Sequence, residues 1–402
     1  MTSSHPASPR ETVRATGSHI VLTVNVAWNL CNFRSGLVSA LLADGHRLTV
    51  LAPLDDSVTT LAAMGCEVCD LPMDRKGLNP VRDAGLLRRM SRAFGTLRPD
   101  VVLGFTIKNN IYGALAARRH GIAFLPNVTG LGTAFLSGGA VERIATMLYR
   151  QAFRAVPRVF FQNRDDLSLF IERKLVEHAQ TVLLPGSGID LDRFAPSPPP
   201  ASDSGPVFLM IARLLRDKGV HEYVEAARIV RSRYPGARFQ LLGAAGDANR
   251  TAIDLATVHG WERSHGIEYL GTSSDVRREI AAAHCVVLPS YREGAPRTLI
   301  EAAAMARPLI ATDVPGCREV VDDTETGLLC SARSSESLAR ACTGFIAMPP
   351  AAQTEMGRAG RAKMEREYDQ QIVIDAYRTE INRLARATGR HAASSENRPA
   401  AA

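Results

Sequence analysis

The sequence predicts a two-domain α/β protein in which each domain is an open parallel sheet covered by helices, and three observations carry that expectation. Short apolar runs rich in β-branched residues alternate with Ala/Leu/Arg segments of helical period, the pattern of repeated strand–helix units. The alternation breaks once, in a polar, proline-rich stretch between Asp192 and Pro206, and then starts afresh. The length of 402 residues, with 46% hydrophobic and 22% charged residues, suffices for two full cores at roughly 100–200 residues per domain. Such a composition excludes a disordered chain, a collagen and a disulfide miniprotein.

Taken in order, residues 1–17 are rich in Ser, Pro, Thr and Ala and are expected to be disordered. A first domain is expected over 18–190. In it His19 to Val26 reads as a strand, Ser35 to Asp44 as a helix and Arg47 to Leu51 as a second strand. Val101 to Phe105, Phe124 to Asn127, Val159 to Gln162 and Thr181 to Leu184 read as further strands. Val141 to Arg154 has helical period, with Ile144, Met147, Leu148 and Gln151 on one side and Arg143, Arg150 and Arg154 interrupting the rest. A linker is expected at 191–206 and a second domain over 207–365. There Val207 to Ala212 reads as a strand and Val220 to Tyr234 as a helix closed by Pro235-Gly236. Arg238 to Leu242, Ile267 to Tyr269, Cys285 to Pro289 and Leu309 to Thr312 read as strands between helical segments. The last helical pattern runs from Met356 to Thr388, with a C-terminal helix over 366–390 and a disordered Ser/Asn/Pro/Ala tail at 391–402.

Charge separates the halves. The chain carries 48 Lys+Arg against 41 Asp+Glu, net +7, and residues 1–190 hold 21 basic and 15 acidic groups of these. The window 75–164 has 15 basic residues opposed only by Asp83, Asp100 and Glu142, so an anionic partner is expected to meet it. Seven scattered cysteines do not form a disulfide framework, which points to reduced thiols in a cytosolic setting. Cys66-Glu-Val-Cys69 has ligand-like spacing, but no second pair or suitable His follows, so no metal site is expected. The apolar stretch Ile20 to Val26 is interrupted by Thr23 and Asn25, too short and polar for a signal or spanning helix. No run of about 18 uninterrupted apolar residues occurs elsewhere, so any membrane contact is expected to be peripheral.

Ligands of open α/β sheets bind outside the carboxyl ends of the strands, so function is sought on strand-to-helix loops. Arg213-Leu-Leu-Arg-Asp-Lys218-Gly219 follows a strand and opens a helix. Its cations, its glycine and a positive helix end suit a diphosphate, or form a solvated basic turn. In Pro-Ser-Tyr-Arg-Glu293-Gly294-Ala295-Pro296-Arg297-Thr298-Leu-Ile-Glu301 a loop offers backbone amides at a helix N-terminus, with a carboxylate on either side. Pure helix would separate those carboxylates by ~12 Å, the scale of a nucleotide-sugar. The plainer alternative makes Glu293 a solvated acid and Glu301 a first-turn partner of the helix dipole. In Asp313-Val-Pro-Gly316-Cys-Arg-Glu319 the Gly and Glu shape the turn and cap the helix.

These motifs, with Thr326-Gly327-Leu-Leu and Pro185-Gly-Ser-Gly-Ile-Asp190-Leu-Asp-Arg-Phe194, resemble retaining glycosyltransferases of family 4. The resemblance implies a GT-B fold, two Rossmann-like α/β/α domains facing across a cleft, with no transmembrane helix. It implies that Arg213 and Lys218, beside Gly219, hold a donor diphosphate, Glu293 the hydroxyls of the transferred sugar and Glu301 a ribose. The amides of Gly294, Ala295, Pro296, Arg297 and Thr298 would surround sugar and phosphates. Catalysis would rest on Arg213, Lys218 and Glu293. In the first half, Asn32-Phe-Arg34, Thr106-Ile-Lys108-Asn-Asn-Ile-Tyr-Gly113 and Asn127-Val-Thr129-Gly130-Leu-Gly132-Thr133-Ala-Phe135 resemble bacterial enzymes, including N-acetylgalactosaminyl transferases, that extend polyprenyl-diphosphate-linked sugars. Here the family's Gly-Gly after the first strand is replaced by Ala27-Trp28-Asn29-Leu30, and its Asn-Pro after Lys108 by Asn-Asn. Asn32, Arg34, Thr106, Lys108, Thr129 and Gly130 become acceptor-site candidates.

The implied reaction is transfer of a HexNAc or hexose from a UDP-sugar to a lipid-linked saccharide, in polysaccharide or glycan assembly, by a peripheral protein at the cytoplasmic membrane face. No cofactor or metal is expected, since the cations of the basic loop would neutralise the leaving diphosphate. No side-chain general base stands out; His19 and His46 flank the first strands in structural positions, and in retaining GT-B enzymes the leaving phosphate is invoked instead. Arg88, Arg89, Arg92, Arg118, Arg119, Arg143, Arg150, Arg154 and Arg158 are candidates for contact with an anionic membrane, or form a solvated Arg-rich face. Three competitors were weighed. Family 4 transfer to a soluble acceptor stays open. A nicotinamide oxidoreductase lacks the third glycine in Gly130-Leu-Gly132-Thr-Ala-Phe135, and a nucleic-acid binder is disfavoured by 6% aromatics and no recognised module.

Overall fold

The computed structural model describes residues 17–74, 79–131, 139–200, 205–246 and 251–387. The expected disorder at 1–16 and 391–402, and the motif positions Gly132 to Phe135, lie outside the described residues. Strands β1 (His19–Thr23), β2 (Arg47–Ala52), β3 (Glu67–Asp70), β4 (Val101–Phe105), β5 (Ala123–Val128), β6 (Val159–Phe161) and β7 (Thr181–Leu183) form a sheet in the order β3-β2-β1-β4-β5-β6-β7. Strands β8 (Val207–Ile211), β9 (Arg238–Leu242), β10 (Ile267–Tyr269), β11 (Cys285–Leu288), β12 (Leu309–Thr312) and β13 (Gly327–Cys330) form a second, in the order β10-β9-β8-β11-β12-β13. Pairing is parallel, as in β1 with β2 and β4, and β8 with β9 and β11. All five residues of β1, β4 and β8 are buried, which is why β4 and β8 read as unbroken apolar runs, while β1 carries polar residues only at its ends. In both sheets the strand order reverses beside the first strand, opening a crevice at the carboxyl ends of β1 and β4 and of β8 and β11.

Three expectations need correction. The first strand ends at Thr23, because Val24 donates its amide to the Leu51 carbonyl and the chain then turns into a helix at Trp28–Phe33. The edge strands β3 and β13 were not foreseen: Glu-Val-Cys-Asp and Gly-Leu-Leu-Cys are too short and mixed to stand out. The final helical pattern is broken into Pro350–Lys363, a π-turn at Met364–Tyr368 and Gln370–Ala387. Ile189 inserts at the break, its amide donating to the Tyr368 carbonyl at 2.8 Å and its carbonyl accepting from the Gln370 amide at 3.0 Å. The C-terminal helix therefore begins at Gln370 rather than at 366.

The proline-rich stretch after β7 is packed at its start. Phe194 is buried in the core of the second sheet. Arg361 donates to the Phe194 and Ala304 carbonyls, and the fully buried Arg307 donates to the Ser197 and Pro198 carbonyls. Burial lowers the Arg307 guanidinium to about 10. The chain forms two compact units, Met1–Leu125 with Glu380–Ala402, and Pro126–Thr379. Arg213, Gly219, Glu293 and the other second-half candidates share the latter unit with Thr129 and Gly130; Asn32, Arg34, Thr106 and Lys108 lie in the former. Among the described residues no helix is long and apolar enough to cross a membrane.

Candidate active site

The basic loop is anchored from below. Leu214 and Leu215 are buried, and the Leu214 amide donates to the Ala244 carbonyl, so the alternating Arg213 and Arg216 point outward. A 3-10 turn at Arg216–Lys218 then meets Gly219, whose φ of +75° ends the turn and starts the helix Val220–Arg233. A Cβ on Gly219 would lie 2.0 Å from the Pro289 carbonyl oxygen, so only glycine lets this loop touch the end of β11.

That approach brings Lys218 to the acidic loop. Lys218 Nζ donates to Glu293 Oε1 at 2.5 Å, and Ser290 Oγ donates to the same oxygen at 2.6 Å. The side chains of Lys218 and Glu293 are 19% and 13% exposed, so the pair is largely shielded from water. The Tyr291 amide donates to the Asp217 carbonyl, tying the acidic loop to the basic one, and the Glu293 amide donates to the Pro315 carbonyl of the third turn. Tyr291 Oη donates to Glu222 at 2.6 Å, and burial raises the phenol to about 12. Sequence reasoning gave Lys218 and Glu293 separate ligand groups; the structure makes them partners and adds Ser290.

The Glu293–Gly294 peptide is gripped by backbone. A Cβ on Gly294 would stand 2.3 Å from the Thr129 carbonyl oxygen, and one on Gly316 would stand 2.6 Å from the Glu293 carbonyl oxygen. Thr129 and Gly130, read as acceptor candidates, thus lie directly against the acidic loop, and Gly316 of the third turn packs on it. Glu319 does not cap its own helix Cys317–Val320; its Oε1 accepts the Arg164 amide at 2.9 Å.

Pro296 is the N-cap of the helix Arg297–Ala304, consistent with a proline at a helix start. Glu301 is the fifth residue of that helix, beyond the first turn, and 9% exposed, so the dipole-partner alternative does not describe it. Arg297 Nε donates to Glu301 Oε1 at 2.9 Å, and Arg297 Nη1 donates to Ser187 Oγ and the Gly188 carbonyl. Burial pushes the Glu301 carboxyl above its ordinary range, with Arg297 opposing the shift. Ala295 and Thr298 are half-buried on either side of Pro296.

In the first unit, the acceptor candidates cluster after β1 and β4. Arg34 is buried, bonded to Asn29 and set over the Phe105 ring at 4.3 Å; Asn32 Nδ2 donates to the Trp28 carbonyl at 3.0 Å. Lys108 Nζ donates to Asp83 Oδ1 at 2.8 Å. Thr106 caps the helix Ile107–Arg119 at φ +74° and ψ 155°, a region nearly reserved for glycine, which for a β-branched residue costs ~1–3 kcal/mol. Its Oγ1 donates to Asn109 Oδ1 at 2.9 Å. Strain held at the carboxyl end of a central strand agrees with a functional position. His19 is buried against Thr49 and Arg47, a structural role, and its pKa is lowered chiefly by burial. All seven cysteines are free thiols, and among the described residues no three His, Cys, Asp or Glu gather as metal ligands.

Residues 33–186 match the family described as Glycosyl transferase 4-like domain, and residues 205–347 match Glycosyl transferases group 1. The chain is 26% identical over 369 residues to the N,N'-diacetylbacillosaminyl-diphospho-undecaprenol alpha-1,3-N-acetylgalactosaminyltransferase of Campylobacter jejuni, covering 87% of this chain and 94% of that protein. It is 23% identical to the UDP-Gal:alpha-D-GlcNAc-diphosphoundecaprenol alpha-1,3-galactosyltransferase of Escherichia coli, over 72% of this chain and 75% of the other. Among solved structures, Anabaena HepE in complex with UDP and glucose superposes with a TM-score of 0.73 at 18% identity, covering 91% of this chain and 99% of that one. Two matched domains in tandem, together covering most of the chain and built on two parallel sheets, show that the chain belongs to the family 4 glycosyltransferases of the GT-B fold.

Proposed function

We propose that the protein transfers a sugar, a HexNAc or hexose, from a UDP-sugar to a polyprenyl-diphosphate-linked saccharide, with retention at the anomeric carbon, during polysaccharide or glycan assembly. The observation that carries this reading is the shielded Lys218–Glu293–Ser290 cluster at the carboxyl ends of β8 and β11, with Glu301 buried one helix turn away from Arg297. As the bond from the anomeric carbon to the diphosphate breaks, negative charge gathers on the leaving oxygen. Lys218, Arg213 and the amides at the start of the helix Arg297–Ala304 stabilise that charge as it forms. Glu293 orients the sugar through its hydroxyls, and Glu301 accepts hydrogen bonds from the ribose. The acceptor hydroxyl attacks from the face the diphosphate leaves, and its proton passes to the departing phosphate oxygen, so no side-chain base is required. Charge neutralisation by Lys218 and Arg213 serves in place of a metal. Asn32, Arg34, Thr106 and Lys108 of the first unit, and separately Thr129 and Gly130 of the second, are the candidate acceptor-binding residues. Support comes from the Campylobacter and Escherichia relatives, both named for diphospho-undecaprenol acceptors, and from the UDP-bound neighbour.

A donor screen with a synthetic polyprenyl-diphospho-sugar, reading product and released nucleotide, tests the proposal. UDP release coupled to an α-linked lipid product is expected. Transfer only to soluble sugars would remove the lipid acceptor from the reading, and release of another nucleotide would remove the UDP donor.

The same reading places the protein at the inner membrane face. The helix Gly139–Phe153 exposes Ile144 (46%) and Met147 (60%) beside the exposed Arg143 and Arg150, with Arg154 just beyond. Apolar side chains framed by cations suit an anionic lipid interface, at about 1 kcal/mol per cation near the surface. Sedimentation with phosphatidylglycerol vesicles at low salt is expected to carry the protein down, and Arg143→Ser with Arg154→Ser to weaken this roughly 30-fold. Binding indifferent to lipid charge and salt would sink it.

A further inference from the structure

Asn163 follows β6 and caps the helix Arg164–Glu172, its Oδ1 accepting the Asp166 amide at 2.7 Å. Its Nδ2 serves a different purpose. It donates to Asp166 Oδ2 at 3.0 Å and to the Gly294 carbonyl, 131 residues away, also at 3.0 Å. Asp166 is fully buried, and its other oxygen, Oδ1, takes the guanidinium of Arg292. Arg292 and Gly294 are the two neighbours of Glu293, so both flanks of the sugar-binding carboxylate are tied to one helix start. The capping bond from Asn163 Oδ1 already serves the helix, so helix stability does not call for a second, charged bond from Asp166 to Arg292. Burying a carboxylate is unfavourable unless its oxygens are matched, and here both are matched, one of them by the donor loop itself.

We infer that Asn163, Asp166 and Arg292 are positioning residues for sugar transfer, holding the Glu293–Gly294 peptide so that the Glu293 carboxylate stays in register with Lys218 and Ser290. The inference rests on the donor-site reading above. None of the three needs to touch substrate. Their effect runs through Glu293, and because a misplacement of about 1 Å at a reacting centre lowers rate ~10²-fold, losing one flank is expected to lower turnover 10- to 100-fold.

The test uses the full chain with Arg292→Ala, Arg292→Lys and Asn163→Ala, measuring kcat with donor and acceptor, Kd for UDP by calorimetry, and the melting temperature. Arg292 is 26% exposed, so its variants are expected to fold. Arg292→Ala and Asn163→Ala are expected to lose kcat by about 10- to 100-fold with the Kd for UDP within about 3-fold, since UDP lacks the sugar that Glu293 orients. Arg292→Lys, which keeps the charge opposite Asp166, is expected to recover part of the loss. Unchanged kcat in both alanine variants would overturn the inference. So would a parallel fall of kcat, UDP affinity and melting temperature, which is the signature of a purely structural tie. Wild-type protein that neither binds UDP nor turns over a UDP-sugar would defeat the donor-site reading itself, and this inference with it.

Discussion

Replacing Lys218 by alanine is expected to lower turnover about 10²- to 10³-fold while the protein stays folded. The ammonium sits where the basic loop after β8 meets the acidic loop after β11, and it is held there by Glu293. In the proposed mechanism Lys218 is a preformed cation beside the leaving diphosphate; such a cation needs no reorganisation when charge develops, and a shielded setting makes it worth more than a cation in water. Arg213, exposed on the same loop, and the helix amides supply the residual rate. After the substitution Glu293 keeps its bond from Ser290, so the loop is expected to hold its shape and the thermal melt to move by only a few degrees. Steady-state rates with a UDP-sugar, alongside a melting curve, decide the matter: near-normal turnover in a folded Lys218→Ala protein would remove Lys218 from the mechanism.

The second large effect is expected at Gly294. A Cβ there would lie 2.3 Å from the Thr129 carbonyl oxygen and 3.1 Å from its carbonyl carbon, and backbone cannot swing aside as the end of a long side chain can. Gly294→Ala must push the donor loop away from Thr129, carrying Glu293 off its partners, so kcat is expected to fall by ~10²-fold and stability by ~1–3 kcal/mol. Gly236→Ala is the matched control, since a Cβ there meets nothing within 4 Å; it is expected to leave kcat unchanged and to stabilise slightly, by about 0.4–1 kcal/mol. If Gly294→Ala turned over like the control, the close contact between Thr129 and the donor loop would not govern catalysis.

Much of the architecture was legible because buried parallel strands write themselves as continuous apolar runs. Val-Phe-Leu-Met-Ile of β8 and Val-Val-Leu-Gly-Phe of β4 are buried along their length, and nothing polar interrupts the signal. The edge strand β3 carries a charge at each end and is half exposed, so periodicity had little to work with. The break in the last helical pattern was invisible for a different reason: its cause, Ile189 bonding to Tyr368 and Gln370, lies some 180 residues away.

The site divides in the same way. Arg213, Lys218, Glu293 and Glu301 stand out as candidates in the sequence because each strand-to-helix loop gathers its charged residues within about ten contiguous positions, and the roles proposed for them come from the family resemblance. What the sequence could not specify is which of these groups meet. The Lys218–Glu293 pair spans 75 residues, Arg292 to Asp166 126, and Asn163 to Gly294 131. Those contacts exist because the second sheet sets β8 beside β11, and because glycines at 219, 294 and 316 let backbone approach backbone more closely than any side chain allows. Local composition marked the residues proposed to carry the chemistry; tertiary packing alone decided their partners, since a hydrogen bond requires placement to within a few tenths of an ångström and a sequence records no distances.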